Sequence, residues 1–110
     1  KCSPNKLKIV TMLNENDVLC GRGKGASDYI GNKRFRAMVK QYREAYINSD
    51  RGDKANIARF IVETVQAQSP PGRFLKKVPN SRCWCIVDKR MASEKTSQAL
   101  REGMTKNKTG

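Results

Sequence analysis

The sequence predicts a small α+β domain of three helices and a β-hairpin, with a third short strand as a further candidate, in a layout loosely like a winged helix. Two stretches with apolar residues every three or four positions predict consecutive helices, joined by a short turn that contains glycine. Two β-prone runs around a Pro-Asn-Ser turn then predict the hairpin. A third helix follows the hairpin, which departs from the usual winged-helix order.

Composition restricts the class of partner. The chain has 110 residues, of which 37% are hydrophobic, so it can form one domain with one modest core. It carries 23 Lys and Arg against 10 Asp and Glu, a net charge of +13. Such an excess of one charge is typical of proteins that bind a polyanion: DNA, RNA, an anionic membrane surface or an acidic protein. No apolar run approaches the roughly 20 residues of a membrane span, so we expect no membrane insertion.

The first elements are short. Residues 1–13 are expected to form a flexible basic arm, although Leu7, Ile9 and Val10 could begin a strand. Asp17–Cys20 then predicts a short extended segment, which leads into the glycine-rich stretch that follows.

The glycine-rich loop from Gly21 to Gly25 alternates its glycines with Arg22 and Lys24. Glycine allows close approach of the backbone to a ligand, and successive free N–H groups can form an anion-binding concavity. We therefore expect this loop to meet phosphate, with an ordinary surface turn as the alternative. The glycine spacing fits neither the phosphate loop of NTPases nor the dinucleotide-binding fingerprint.

The first helix is predicted from about Lys33 to Ile47, with Asn32 as its N-cap. One face is apolar, and another carries a basic stripe for which a solvated surface is the alternative interpretation. From Arg22 to Arg43 there are seven Lys or Arg and one acid, Asp28, which favours a binding surface. The stripe consists of Lys33, Arg36, Lys40 and Arg43.

The second helix is predicted from about Lys54 to Gln68, with Asp53 as its cap and a role mainly in the core. The hairpin strands are predicted at 73–77 and 83–87, and Asp17–Cys20 is the candidate partner of the second. Trp84 is expected in the core under the helices, with a base-stacking platform as the alternative.

The third helix is predicted from about Met91 to Glu102, closed by Gly103. Residues 104–110 are expected to form a disordered tail, which leaves 14–103 as a single nucleic-acid-binding domain.

Catalysis and metal binding are not expected. The chain contains no histidine, and its carboxylates are scattered, so no nucleophile has an identifiable base. We expect no cofactor, and we expect reduced thiols, as is usual in a cytosolic or nuclear setting. A four-cysteine metal site is the alternative for Cys2, Cys20, Cys83 and Cys85.

Three blocks of sequence together resemble an uncharacterised domain family, a domain of unknown function abundant in diatoms and related algae. The first block is Asp17–Gly25 together with Gly31, Asn32 and residues 34–36. The second is residues 71–77 together with Trp84, and the third is Glu94–Glu102. The resemblance covers about residues 14–103 and implies one compact domain without an assigned activity. The cysteines on either side of Trp84 depart from the family's pattern.

We therefore expect a nucleic-acid-binding module, the DNA-binding domain of a nuclear regulatory protein, with DNA favoured over RNA. The glycine loop, the basic helix and the hairpin would anchor phosphate, and the first or third helix would read bases. A chromatin or protein-interaction adaptor for acidic partners is the alternative, and phosphorylated small molecules or lipid headgroups are a lesser one. The candidate contacts are Arg22, Lys24, Lys33, Arg34, Arg36, Lys40, Arg43, Arg73, Lys76, Lys77, Arg82, Lys95, Gln98 and Arg101.

Overall fold

Three long helices and a four-stranded sheet form an α+β fold, which confirms the predicted class. A computed structural model describes residues 9–21, 26 and 28–109, with side chains through Glu102. The strands are β1 Ile9–Val10, β2 Val18–Cys20, β3 Phe74–Lys77 and β4 Trp84–Ile86. The helices are α1 Ile30–Ile47, α2 Arg51–Gln66 and α3 Lys89–Thr109. No helix in this part of the chain is long and apolar enough to cross a membrane.

The predicted hairpin forms the centre of the sheet, whose order is β1-β4-β3-β2. Strands β3 and β4 pair antiparallel, β1 pairs antiparallel with β4, and β2 pairs parallel with β3. The expected pairing of Asp17–Cys20 with the second hairpin strand is therefore wrong, because β1 occupies that edge. Ile9 and Val10, assigned to a flexible arm, are the residues that form β1, whereas residues 1–8 lie outside the described part of the chain.

The two faces of the sheet bury separate apolar clusters. The larger cluster packs the helices on the face that carries Val18 and Phe74, and the Phe35 ring meets the Phe74 ring edge to face with centroids 5.6 Å apart. The smaller cluster on the other face includes Leu75 and Trp84. Trp84 is therefore half-buried on the face opposite the helices, not under them. The alternation of side chains along a strand predicts that Trp84 and Cys85 point to opposite faces, but this pattern does not identify the face that the helices cover.

The helix ends differ from their predictions. Helix α1 begins at Ile30, so Asn32 lies inside the helix instead of capping it. Asp50, not Asp53, caps α2, and its carboxylate accepts a hydrogen bond of 3.0 Å from the Asp53 backbone N–H. Helix α3 continues past Gly103 to Thr109, over a stretch predicted as a disordered tail. An interior glycine costs a helix only about 1 kcal/mol relative to alanine, so Gly103 does not end it.

Asn32 instead attaches α1 to the exposed edge of the sheet. Its amide oxygen accepts a 2.7 Å hydrogen bond from the Leu19 backbone N–H, and its amide nitrogen donates at 3.0 Å to the Leu19 carbonyl. The buried side chain therefore satisfies both backbone groups of an edge-strand residue, as a neighbouring strand would. Gly31 adds to this close packing, because a Cβ atom there would overlap the Asp17 carbonyl.

Asp17 joins the start of β2 to the start of β3. Its carboxylate is fully buried and accepts from the Arg73 backbone N–H at 3.1 Å, from Nε at 3.0 Å and from Nη2 at 2.8 Å. The Asn14 backbone N–H supplies a fourth hydrogen bond at 2.7 Å. The carboxylate hydrogen bond raises the pKa of the Arg73 guanidinium. This ion pair fixes β2 beside β3, and thereby the point from which the glycine loop leaves the sheet.

Candidate nucleic-acid interface

Gly21, the first residue of the glycine-rich loop, lies in a cleft that α3 lines. Gly21 follows β2 with φ +143°, a conformation that favours glycine, and it forms one wall. Arg22 and Lys24, the predicted phosphate contacts, lie outside the described residues. We call this feature the β2–α3 cleft. Its volume is about 330 Å³, and it is lined by Gly21, Lys95, Gln98, Ala99 and Glu102.

Two lysines bring positive charge to the end of β2, and one of them, Lys95, lines the cleft. Lys76 lies beside Cys20 in the parallel register of β2 and β3. Burial raises the pKa of the Cys20 thiol, and the positive charges of Lys95 and Lys76 oppose that rise. Lys76 is exposed, and Lys95 is half-buried with Nζ 5.9 Å from the centroid of the Phe35 ring. The contact with an aromatic ring restricts the Lys95 side chain, so its charge is held in place beside the cleft.

The basic stripe of α1 borders the same cleft. The Arg43 guanidinium reaches across to α3, where Nη2 donates a long hydrogen bond of 3.5 Å to the carbonyl of Ala99, a cleft residue. Its Nε is buried and has no hydrogen-bond partner among the described residues. Arg36 lies seven residues before Arg43, or about two helical turns, so the two residues share one face. The stripe and the lysines of the cleft therefore form one surface.

The exposed cations of the α1 stripe form no ion pair within the described part of the chain. Lys33, Arg36 and Lys40 are exposed, and none forms an ion pair with a carboxylate among the described residues. Ion pairs join Arg73 to Asp17 and Arg90 to Glu94 elsewhere on the molecule. The stripe thus retains its charge for an external anion.

Two other predicted contacts are engaged within the fold. Arg73 pairs with Asp17, and its Nη2 also donates to the Met12 carbonyl at 3.1 Å. Arg34 donates from Nη1 to the Asn16 side-chain oxygen at 2.7 Å. Both guanidiniums hold the segment before β2, which in turn binds the loop after α2 through a hydrogen bond from Asn16 Nδ2 to the Pro70 carbonyl.

The hairpin does not present its cations as one patch. Lys76 points to the helix-facing side, whereas Lys77 points to the other side, where its Nζ lies 5.5 Å from the centroid of the Trp84 ring. Arg82 is exposed in the loop before β4. Of the three, Lys76 joins the surface at the cleft.

Helix α3 divides its predicted contacts between two sides. Lys95 and Gln98 line the β2–α3 cleft, whereas Arg101 lines a second groove, between α2 and α3. Sequence reasoning missed Glu102, which does line the cleft and accepts a 3.2 Å hydrogen bond from Gln98 Nε2. Its position seven residues after Lys95 and four after Gln98 is the pattern that could have identified it.

The cysteines form no metal cluster within the described residues, which contain no group of three or more suitable side chains. Cys20 is half-buried beside the cleft and Cys85 is buried in the sheet, whereas Cys2 lies outside the described residues.

Comparison with known proteins identifies a family but no function. A family model described as a domain of unknown function, DUF6824, matches residues 17–102. No curated protein and no solved structure matches the chain. The matched residues, 17–102, include the residues that line the cleft, the α1 stripe and the ion pair of Asp17 with Arg73.

Proposed function

The chain belongs to the DUF6824 family, whose description assigns no activity, and we propose from the geometry that it is a nucleic-acid-binding module. In this proposal it is the DNA-binding domain of a nuclear regulatory protein, and DNA is favoured over RNA. One observation carries the proposal: Lys95 of α3 lines a cleft that begins at Gly21, the first residue of the glycine-rich loop, and the basic stripe of α1 reaches a residue of the same cleft through Arg43. The cleft and its surroundings offer a polyanion several phosphate contacts at once.

In the proposal, phosphate is bound by cations of the helices and the sheet and by cations of the glycine loop. The exposed stripe cations Lys33, Arg36 and Lys40 stand on a helix whose apolar side is fixed in the core, so they offer a preorganised row of charge. Lys76 adds positive charge beside the end of β2, and Lys95 adds it at the cleft. In the proposal, Arg22 and Lys24 add contacts from the loop, whose glycines allow its backbone N–H groups to approach phosphate.

The charge pattern supports a polymer over a small phosphorylated ligand. A single phosphate group would need convergent donors around one point, whereas the stripe extends for ten residues from Lys33 to Arg43 along α1. At a rise of 1.5 Å per residue that is about 15 Å, which is about nine phosphate spacings along the axis of duplex DNA. The row therefore matches a repeating anion better than an isolated one.

The experiment is binding of the intact chain to a pool of random-sequence duplex, followed by fluorescence anisotropy at two salt concentrations. If six of the candidate cations contact phosphate, the logarithm of the association constant falls with the logarithm of salt at a slope of about −5. Absence of binding at about 50 mM salt, or binding that does not respond to salt, would overturn the proposal.

Competition separates nucleic acid from the runner-up, an adaptor for acidic proteins that uses the same cations. Poly-glutamate and unlabelled duplex are added at equal charge concentration to the labelled complex. We expect the duplex to displace the labelled duplex at a lower concentration than poly-glutamate does. The reverse order would favour the adaptor.

A further inference from the structure

The β2–α3 cleft contains a carboxylate as well as a cation. Glu102 is exposed and lines the cleft together with Lys95 and Gln98. A carboxylate at this place repels phosphate, so it weakens the sequence-independent part of nucleic-acid binding. Its presence among phosphate-binding cations calls for a different ligand group, one that donates hydrogen bonds.

Resting on the proposed function, we infer that α3 is the base-reading helix and that Glu102 selects a base that presents an amino group, cytosine in the major groove. Among base edges there, cytosine offers the N4 amino donor, for which glutamate and aspartate are the matching acceptors. Phosphate contacts would then come from α1, the loop and Lys76, and the base contact from α3.

The geometry of α3 fits this division of roles. Lys95, Gln98 and Glu102 are spaced by three and four residues, so they lie on one side of the helix and reach one cleft. The adjacent side of the helix carries Ala92, Thr96 and Leu100, all buried, which fix the helix against the core. A base reader needs this combination of a rigid helix and side chains that share one face.

The carboxylate is also oriented before any ligand binds. Gln98 Nε2 donates to Glu102 Oε2 at 3.2 Å, and this bond between residues four apart leaves the other carboxylate oxygen available to a base. Lys95 is held by the Phe35 ring at the far end of the same face. Lysine is a donor for the guanine acceptors O6 and N7. This side of α3 therefore carries an acceptor for cytosine, Glu102, and a donor for guanine, Lys95.

The test is selection of bound sequences from a random duplex library, with the wild type, Glu102→Gln and Glu94→Gln carried through in parallel. Glu94 provides the matched control because it stands on the same helix, loses the same charge and lines the other groove. We expect wild type and Glu94→Gln to enrich the same cytosine position by about fivefold or more over other bases. Glu102→Gln should lose that enrichment.

Overall affinity gives a second readout, independent of sequence choice. Removal of the carboxylate should leave affinity for a random duplex unchanged or raise it, because a repulsive charge is lost. If Glu102→Gln keeps the wild-type preference, or if the wild type binds duplex without preference, the assignment of Glu102 is overturned while the proposed function stands. If the wild type binds no duplex, the proposed function fails and this assignment fails with it.

Discussion

Replacement of Asp17 by Asn tests the role of the buried ion pair with Arg73. The substitution keeps the shape of the side chain but removes its charge, and it turns one of two acceptor oxygens into a donor. Four hydrogen bonds reach the carboxylate, three from Arg73 and one from the Asn14 backbone, at 2.7 to 3.1 Å. In the variant the new NH₂ group would face some of these donors, which leaves them unpaired.

The size of the expected loss of folding free energy follows from the burial of Asp17 and Arg73. Removal of one partner of a buried pair costs about 3–5 kcal/mol. The Asp17 side chain is 0% exposed, but the Arg73 side chain is 30% exposed and can recover some hydration. We therefore expect the lower end of that range, about 3 kcal/mol, which lowers the melting temperature of a domain of this size by about 12 °C or more.

The assay is urea unfolding followed by circular dichroism, with Glu15→Gln as the control. Glu15 is exposed, stands two residues away and loses the same charge, so its variant should stay within about 0.5 kcal/mol of wild type. A loss below about 1 kcal/mol for Asp17→Asn would refute the reasoning that this pair holds β2 against β3.

Three further predictions concern stability and the thiol of the cleft. Gly31→Ala should destabilise the fold by about 1–3 kcal/mol, because its Cβ would overlap a backbone carbonyl. Gly52→Ala at the start of α2 should instead stabilise the fold by about 0.5–1 kcal/mol, because its Cβ would meet only an ordinary contact at 3.7 Å from the Asp50 carboxylate. Urea unfolding that places the two variants in the opposite order would contradict the packing. Asn32→Ala should lower the free energy of unfolding by about 2 kcal/mol or more in the same assay, because both backbone groups of Leu19 lose their partner. Hydrogen exchange at the Leu19 amide should become faster, and an unchanged exchange rate would contradict the contact. Burial raises the pKa of the Cys20 thiol in the folded chain. The stability that the neutral thiol contributes is therefore present below the pKa of the unfolded thiol and is lost as pH rises through the higher pKa of the folded one. Cys20→Ala should lose less stability at alkaline pH than wild type, and an identical pH profile of the two proteins would contradict this.

The local elements were predictable because their patterns are local. Apolar residues at helical spacing indicated α1 and α2, and a turn between two β-prone runs indicated the β3–β4 hairpin. Helix ends were less predictable, because Asn32 is a good N-cap by type but forms its bonds with Leu19 in the folded chain. A distant strand edge outweighed the local preference of that side chain.

The arrangement of the sheet and of the interface was not predictable from local pattern. The parallel pairing of β2 with β3 joins residues more than fifty positions apart, and nothing in either segment specifies the neighbour. Arg73 appeared as one more cation in a basic chain, because its partner Asp17 lies equally far away in sequence. Charge counts identified the kind of partner, whereas only packing could separate the cations that hold the fold from those that stay exposed.

The salt dependence of duplex binding decides whether nucleic acid is held at the α1 stripe. The measurement compares wild type, Arg36→Ala/Lys40→Ala on α1, and a double variant on α2 that loses the same charge, Arg51→Ala/Arg59→Ala. The four substituted residues are all exposed on helices, so each double variant should leave the fold intact. If the α1 stripe binds phosphate, its variant should reduce the steepness of the salt slope by about 1.8, while the α2 variant keeps the wild-type slope. Equal slopes for the two variants would contradict the claim that nucleic acid is held at this surface.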